Sequence, residues 1–438
     1  MKTEEKYIAA FEGLDMAIRR HVEQKRYPAM GYTTNFDLIC DFQVEKLNGL
    51  IAKLLPKLKL SELKPAALIK TTGELLCTIA YFCVNGIGGE VDLNDPSLMN
   101  GIFDLRPAIG GTAAQAAMAL AAVGMPSVIH ITDDSKEVCE ILNSPLIYTV
   151  SDDGQLVHTD VIKQKHEQEV HYIIQFRKGD VVRFADCEVP IPVSNRLILT
   201  KVTVNEIVPF SAPYFSYIED HAEEFGSNVL SSFNCLKRKE ELEKHIEIIK
   251  KHLEKYRINN PKGIVFFEDA HYHSNEIKQF CMEAIYPSVD IVSLNEEELK
   301  STLALYGIPI DLNDILSCVE GMATIQKKFH IKKGVIVHTK DYSIYAGDKI
   351  KGCDIETGLI YGNLLATVKA SGGSYGTREK IAEILKLPLS EKGKEFQSML
   401  KRSKYAEKAV LVPSKYIDKP KFTIGLGDSF VAGLQICF

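Results

Sequence analysis

Short apolar stretches rich in valine and isoleucine recur along this chain and alternate with longer segments whose apolar residues fall at helical spacing. Ser127-Val128-Ile129-His130-Ile131, Asn228 to Ser232, Gly263-Ile264-Val265-Phe266-Phe267 and Gly334-Val335-Ile336-Val337 are the clearest of them. Strands apolar on both faces need cover on both faces. A helix between consecutive strands supplies that cover and returns the chain to start the next strand in the same direction. The pattern therefore predicts an α/β fold around a mostly parallel sheet. A chain of 438 residues has room for two domains. Between Ser151 and Pro192 the texture changes to short alternating strands, including Glu169 to Phe176 and Asp180 to Phe184, with Arg177-Lys178-Gly179-Asp180 as a predicted hairpin turn between them. This segment reads as an antiparallel excursion from the main sheet.

Ligands of an open parallel sheet bind beyond the carboxyl ends of its strands, so polar residues at those ends are candidates for chemistry. Glu268 and Asp269 end one apolar strand, and Asn295 ends another, followed by Glu296, Glu297 and Glu298. A helix cap at Asn295 with acids in the first turn accounts for the second group; a Mg²⁺ role for Glu298 through water is the sharper reading. Glu268-Asp269-Ala270-His271-Tyr272-His273 also has residue types that hold transition metals, with loop histidines beside acids as the plain alternative. Nearer the N-terminus, Asn35 and Asp37 lie two apart on a predicted strand over Ala29 to Ile39, hence on one face. An amide beside a carboxylate suits a polyol, and equally a strand end rich in turn-forming residues. Asn85-Gly86-Ile87-Gly88-Gly89-Glu90 predicts a tight turn that exposes Glu90, and Gly110-Gly111 heads an alanine-rich helix packed closely on a ligand or on a strand.

The segment Thr423-Ile424-Gly425-Leu426-Gly427-Asp428 has two glycines that let the backbone approach a bound group, with Asp428 expected where a helix begins. Read as phosphoryl transfer, the amides from Gly425 through Leu426 and Gly427 to Asp428 hold the migrating phosphate while Asp428 takes the proton from an acceptor hydroxyl. Read plainly, it is a glycine turn with an aspartate cap. The net charge of −6 gives no global attraction to nucleic acid or to an anionic membrane. An acidic start and the lack of a membrane-length apolar run predict a cytoplasmic protein. Ten cysteines are scattered with no Cys-x-x-Cys pair, which predicts buried free thiols. No P-loop, dinucleotide fingerprint, protein-kinase catalytic loop or Gly-x-Ser-x-Gly elbow occurs.

Taken in order, these segments resemble the ADP-dependent sugar kinases, the glucokinase and phosphofructokinase family within the ribokinase-like superfamily. Gly31 to Asp37 is similar to the family's sugar-binding strand, Ile109-Gly110-Gly111 to its diglycine segment, and Val170 to Phe176 to a lid strand. Pro192 to Ile198 is similar to the return from the lid, Asn295-Glu296-Glu297-Glu298 to the Asn-x-x-Glu magnesium motif, and Gly425 to Asp428 to the catalytic loop. The resemblance implies a ribokinase-like three-layer large domain that binds nucleotide, over 1–38, 106–159 and 197–438. It also implies a small α+β lid formed by insertions at 39–105 and 160–196, whose closure excludes water. Asp428 would be the general base and Gly425, Leu426 and Gly427 the anion hole. Glu268, Glu298 and Asp428 would organise Mg²⁺. Asn35, Asp37, Glu90, Gly110, Gly111 and His171 would bind the sugar, and His338, Thr339 and Tyr345 the nucleotide. The implied reaction moves the β-phosphoryl group of ADP to a sugar hydroxyl and releases AMP.

Three departures stand out. The family's His-x-Glu becomes Phe266-Phe267-Glu268, the diglycine is followed by Thr112 with Gln115 a turn later, and Leu230 to Asn234 replaces the usual Ser-Gly-x-Gln. Glu90 accepts hydrogen bonds from a hydroxyl and repels a phosphate, which favours glucose over fructose 6-phosphate. The missing histidine motivates one alternative, a homologue that binds sugar or nucleotide without turnover; an ATP-dependent sugar or nucleoside kinase of the same superfamily is the other.

Overall fold

The computed structural model describes every residue except Met1, Asp41, Val202, Thr203 and His273. Two compact units emerge, one formed by Met1–Thr34, Gly111–Gln164 and Glu206–Phe438, the other by Asn35–Gly110 and Lys165–Asn205.

The larger unit holds the strands β1 (Tyr27–Met30), β6 (Ser127–Ile129), β7 (Ile147–Val150), β8 (Leu156–Val157), β13 (Phe225–Leu230), β14 (Ile264–Glu268), β15 (Ile291–Asn295), β16 (Gly334–His338), β17 (Tyr342–Gly347) and β18 (Ala409–Pro413). They form one sheet in the order β18-β17-β16-β15-β14-β13-β1-β6-β7-β8. Neighbours from β16 through β13 and β1 to β7 are parallel, whereas β17, β18 and β8 pair antiparallel at the two edges. Every residue of β13 and β14 is buried, as a sheet covered on both faces requires. Cover comes from α1 (Thr3–Glu23), α4 (Thr112–Ala122), α5 (Lys136–Leu142), α6 (Ala212–Asp220), α7 (Lys239–Asn259), α8 (Asn275–Ile285), α9 (Glu296–Ala304), α10 (Ile315–Lys328), α11 (Ile355–Gly372), α12 (Arg378–Ile384), α13 (Glu391–Lys401) and α14 (Leu426–Gln435). Phe225, Val265, Phe267, Tyr286, Val292 and Ile344 lie in its continuous core.

The smaller unit holds β2 (Asn35–Cys40), β3 (Leu68–Ile69), β4 (Gly89–Leu93), β5 (Leu105–Gly110), β9 (Val170–Phe176), β10 (Val181–Arg183), β11 (Glu188–Pro190) and β12 (Asn195–Lys201), with α2 (Val44–Leu54) and α3 (Thr72–Asn85). Six strands form a mixed sheet in the order β3-β4-β12-β9-β2-β5, and β10 pairs with β11 apart from it. Its own core gathers Leu47, Leu75, Ile79, Ile174, Leu197 and Leu199.

Three expectations change. The single strand predicted over 29–39 is two strands in two sheets: β1 runs beside β13, the Gly31 amide still donates to the Val229 carbonyl, and only from Asn35 does the chain pair with β5 and β9. The hairpin predicted at Arg177–Asp180 does not form a ladder between β9 and β10. Both edges of β9 are occupied, by β2 and β12, so β10 pairs with β11 instead. The smaller unit is also wider than the insertions expected at 39–105 and 160–196, because β2, β5 and β12 belong to its ladder along their whole length.

Candidate active site

In the larger unit the chemistry-bearing side chains collect at the carboxyl ends of three adjacent parallel strands. Glu268 ends β14, Asn295 ends β15 and His338 ends β16, where Asn295 pairs with His338 in register. Asn295 caps α9: its side-chain oxygen accepts from the Glu298 amide at 2.9 Å while Glu298 Oε2 accepts from the Asn295 amide at 2.8 Å. The capping reading of the acidic run is therefore realised, and it occupies only one oxygen of Glu298. His338 reaches across β15 to place Nε2 3.1 Å from Glu268 Oε1, and its ring packs on Phe430 of α14. The imidazole absent from position 266 thus reaches Glu268 from another strand, while Phe266 is fully buried near Phe438.

The C-terminal loop meets the same group. Gly425 is the N-cap of α14 with φ +66°, a left-handed conformation that favours glycine, and the side-chain amide of Gln115 lies directly against it. The Tyr375 hydroxyl donates to Gln115 Oε1 at 2.7 Å. The helix begins at Leu426, so Asp428 is the third helical residue and not its cap, a shift produced by the left-handed turn at Gly425. It is half-buried. A methyl placed on Gly427 would stand 3.3 Å from His338 Cε1 and 3.7 Å from Glu268 Oε1, which fixes how closely the loop approaches both.

This is a region of crowded negative charge. Burial pushes the Glu268 carboxyl up, His338 opposes the shift, and Asp428 adds to it. Burial together with Asp269 and Glu268 pushes Glu298 up to about 8. Burial alone would lower His338, but Glu268, Glu298 and Glu296 outweigh it and hold the imidazole above its usual range. Lys278, buried on α8 and donating to Ser301 Oγ at 2.7 Å, is lowered by burial and held up by Asp269 and Glu298. Glu268 Oε2 is buried without a hydrogen-bond partner. An unsatisfied buried carboxylate oxygen among raised carboxyls is the environment a cation would relieve. Among the described residues no three histidine, cysteine or acid side chains converge as a metal cage, so Glu268, Glu298 and Asp428 do not form a closed set of ligands. Mg²⁺ keeps waters and phosphate oxygens around one or two carboxylates, and Glu268, with its unpartnered oxygen, and Glu298 are donors of that kind. Of the residues behind the transition-metal option at 268–273, Asp269 accepts from the Tyr286 hydroxyl, and His273 lies outside the described residues.

The three nucleotide candidates separate. His338 is at Glu268. The Thr339 hydroxyl holds its own turn, accepting from the Asp341 and Tyr342 amides. Tyr345 points its hydroxyl to the Lys333 and Asp348 carbonyls, at the opposite end of β16 from His338, and so does not join the group.

The smaller unit gathers a second polar cluster. Parallel pairing of β2 with β9 sets Asp37 opposite His171, and antiparallel pairing with β5 sets Asn35 opposite Gly110. The Asn35 amide donates to Asp37 Oδ1 at 2.5 Å and lies 3.0 Å from His171 Nδ1, while His171 Nε2 lies 3.2 Å from Glu169 Oε1. Any side chain at Gly110 would run into Asn35 and Asp37. Burial lowers His171, but Glu169, Asp37 and Glu90 together hold it above its usual value. Glu90 is exposed at the start of β4. Gly111 belongs to the larger unit, capping α4 at φ +88° against the Thr33 carbonyl. Glu169 was not singled out from sequence; its position two residues before His171 on an alternating strand was the available signal.

A mostly parallel α/β sheet with helices on both faces and a smaller mixed-sheet unit is the architecture of the ribokinase-like ADP-dependent kinases. The fold superposes on a solved "ADP-dependent kinase complex with fructose-6-phosphate and ADPbetaS" with a TM-score of 0.78 over 99% of this chain and 97% of that one, at 19% identity. The reconstructed last common ancestor of ADP-dependent phosphofructokinases from Methanosarcinales gives 0.76 over 100% and 98%, at 20% identity. The chain belongs to the family described as "ADP-specific Phosphofructokinase/Glucokinase conserved region", which matches residues 27–434. It is thus an enzyme of the ADP-dependent sugar kinase family, with ADP as the family's phosphoryl donor. Among curated proteins it is 26% identical to the ADP-dependent glucose/glucosamine kinase of Pyrococcus furiosus over 91% of each chain. It is 24% identical to the ADP-specific phosphofructokinase of Pyrococcus abyssi over 80% of this chain and 82% of that one. No helix among the described residues is long and apolar enough to cross a membrane.

Proposed function

We propose that this kinase phosphorylates glucose, or a closely related unphosphorylated sugar, from ADP. The observation that carries the choice of acceptor is the pair of carboxylates on His171: Asp37 Oδ1 lies 3.6 Å from Nδ1 and Glu169 Oε1 3.2 Å from Nε2, with the charge of Glu90 adding to theirs. Carboxylates accept hydrogen bonds from sugar hydroxyls, and a phosphorylated sugar would meet like charge there. Relatedness does not decide the matter, since the kinase of glucose and that of fructose 6-phosphate are almost equally similar.

In this reading Asp428 removes the proton from the acceptor hydroxyl as it attacks the β-phosphorus, and the amides at Gly425, Leu426 and Gly427 stabilise the transferring group. The larger unit is the nucleotide-binding domain, and the smaller one carries the sugar cluster. Glu268 and Glu298 would hold Mg²⁺, which supplies charge neutralisation on the diphosphate when bound. His338 orients Glu268 by hydrogen bonding to it, which removes the motive for a non-catalytic reading based on Phe266. The test crosses ADP and ATP with glucose and fructose 6-phosphate in the presence of Mg²⁺ and follows AMP or ADP release. AMP formed with ADP and glucose is the expected result. AMP formed only with ADP and fructose 6-phosphate would overturn the acceptor assignment, and turnover only with ATP would overturn the donor.

A further inference from the structure

Cys40, Cys83, Cys139, Cys281 and Cys318 are buried thiols, as the sequence predicts, whereas Cys77, Cys187, Cys235, Cys353 and Cys437 are half-exposed against that expectation, and the sulfurs of Cys353 and Cys437 stand 3.3 Å apart. That is the spacing of an S–H···S contact, and a disulfide requires the sulfurs to close by only about 1 Å. We propose that Cys353 and Cys437 are a redox-active pair that closes to a disulfide when the protein meets a peroxide. Cys353 lies in the loop before α11 and Cys437 just past the end of α14, so the bond would join one end of this helix pair. The pair is held in register by small residues: Gly358 faces Cys437 Sγ and Leu434, and Gly362 faces Phe430. Helices locked this closely hold the two sulfurs together without a hinge motion.

The step balances with peroxide as the oxidant. The Cys353 sulfur attacks one peroxide oxygen, the O–O bond breaks, and Cys353 becomes a sulfenic acid as one water leaves. The Cys437 sulfur then attacks Cys353 Sγ, the S–O bond breaks, and the hydroxide leaves as a second water with the thiol proton. Two thiols are oxidised by two electrons, which reduce the peroxide. Burial and the adjacent Cys353 push the Cys437 thiol up. Closing a loop between residues 84 apart stabilises chiefly by restricting the unfolded chain.

The experiment treats the full chain, purified under reductant, with hydrogen peroxide, and digests it without reduction for mass spectrometry. Expected is a peptide pair joined through Cys353 and Cys437 that dithiothreitol separates, with a Tm a few degrees above that of the reduced protein. Cys353→Ser is expected to lose both the linked peptide and the Tm difference. The bond lies a ten-residue helix, about 15 Å, from the catalytic loop, so kcat is expected to agree within about twofold between the two forms. Recovery of both cysteines as alkylated thiols, or of Cys353 as an uncoupled sulfinic acid, would overturn the pairing. A Tm difference that persists in Cys353→Ser would assign the stabilisation elsewhere.

Discussion

Asp428 stands in the first turn of α14, and the proposed reading makes it the base. Asp428→Asn preserves the shape and removes the basic oxygen. It is expected to lower kcat by about 10²- to 10⁴-fold while leaving the Kd for ADP within about threefold, checked by steady-state kinetics and titration calorimetry. Turnover near the wild-type level would dismiss Asp428 as the base. His338 hydrogen-bonds to Glu268, and in the proposed reading it acts through that carboxylate. His338→Phe removes the hydrogen bond to Glu268 Oε1, so the Mg²⁺ concentration for half-maximal activity is expected to rise about tenfold, and His338→Gln, which can still donate, is expected to recover much of it. An unchanged Mg²⁺ dependence in His338→Phe would show that the bond orients nothing. No spacing in the sequence links residue 338 to residue 268, because the contact crosses an intervening strand. The cap joining Asn295 to Glu298 was legible because it is a local motif.

At the scale of elements, α14 is where sequence and packing coincide most closely. Gly433 faces the Tyr361 carbonyl and the Gly362 backbone on α11, so even a methyl there collides with main chain that cannot rotate away. Gly433→Ala is expected to destabilise the protein by about 1–3 kcal/mol through overpacking. Its activity should fall as well, because α14 carries Asp428, the proposed base. Gly13, inside α1, meets nothing within 4 Å, and Gly13→Ala is expected to stabilise by about 0.5–1 kcal/mol from helix propensity alone. Denaturant midpoints for the two variants check both signs; destabilisation of equal size at the two sites would mean that contact with α11 is not the cause. The apolar strands and the helices after them were legible because each is a local pattern. The split of 29–39 into β1 and β2 was not, since both halves are apolar enough for one strand and only their partners, β13 in one sheet and β5 and β9 in another, separate them. Register with distant strands also defeated the hairpin predicted at 177–180.

At the scale of the whole molecule the interruption of an α/β rhythm by a second texture was visible, while the limits of each unit were not, because they follow from which ladder a strand joins. The stability of the larger unit carries its own pH dependence through His130, which directly follows β6 and is fully buried. Its Nε2 accepts from the Ser211 amide at 3.0 Å, so the proton sits on Nδ1 and is donated to the Tyr32 carbonyl at 2.9 Å. Burial, with His245 nearby, lowers this imidazole to about 4, against about 6.5 in an unfolded chain. Above pH 6.5 neither state binds a proton there and the contribution is neutral. As the pH falls below 6.5 the unfolded state takes up a proton that the folded state refuses, so stability is lost progressively until the folded pKa is reached. The loss attributable to this residue amounts to about 3 kcal/mol by pH 4. Other groups titrate over the same range, so the quantity to measure is the difference between the wild type and His130→Asn in unfolding free energy at successive pH values from 7.5 to about 4. The variant is less stable at pH 7.5, having lost one of two buried hydrogen bonds, and the gap is expected to narrow as the pH falls. A gap that stays constant across that window would show that His130 takes up its proton at the same pH folded as unfolded, and a gap that widens that the folded protein holds the proton more tightly; either would overturn the lowered imidazole.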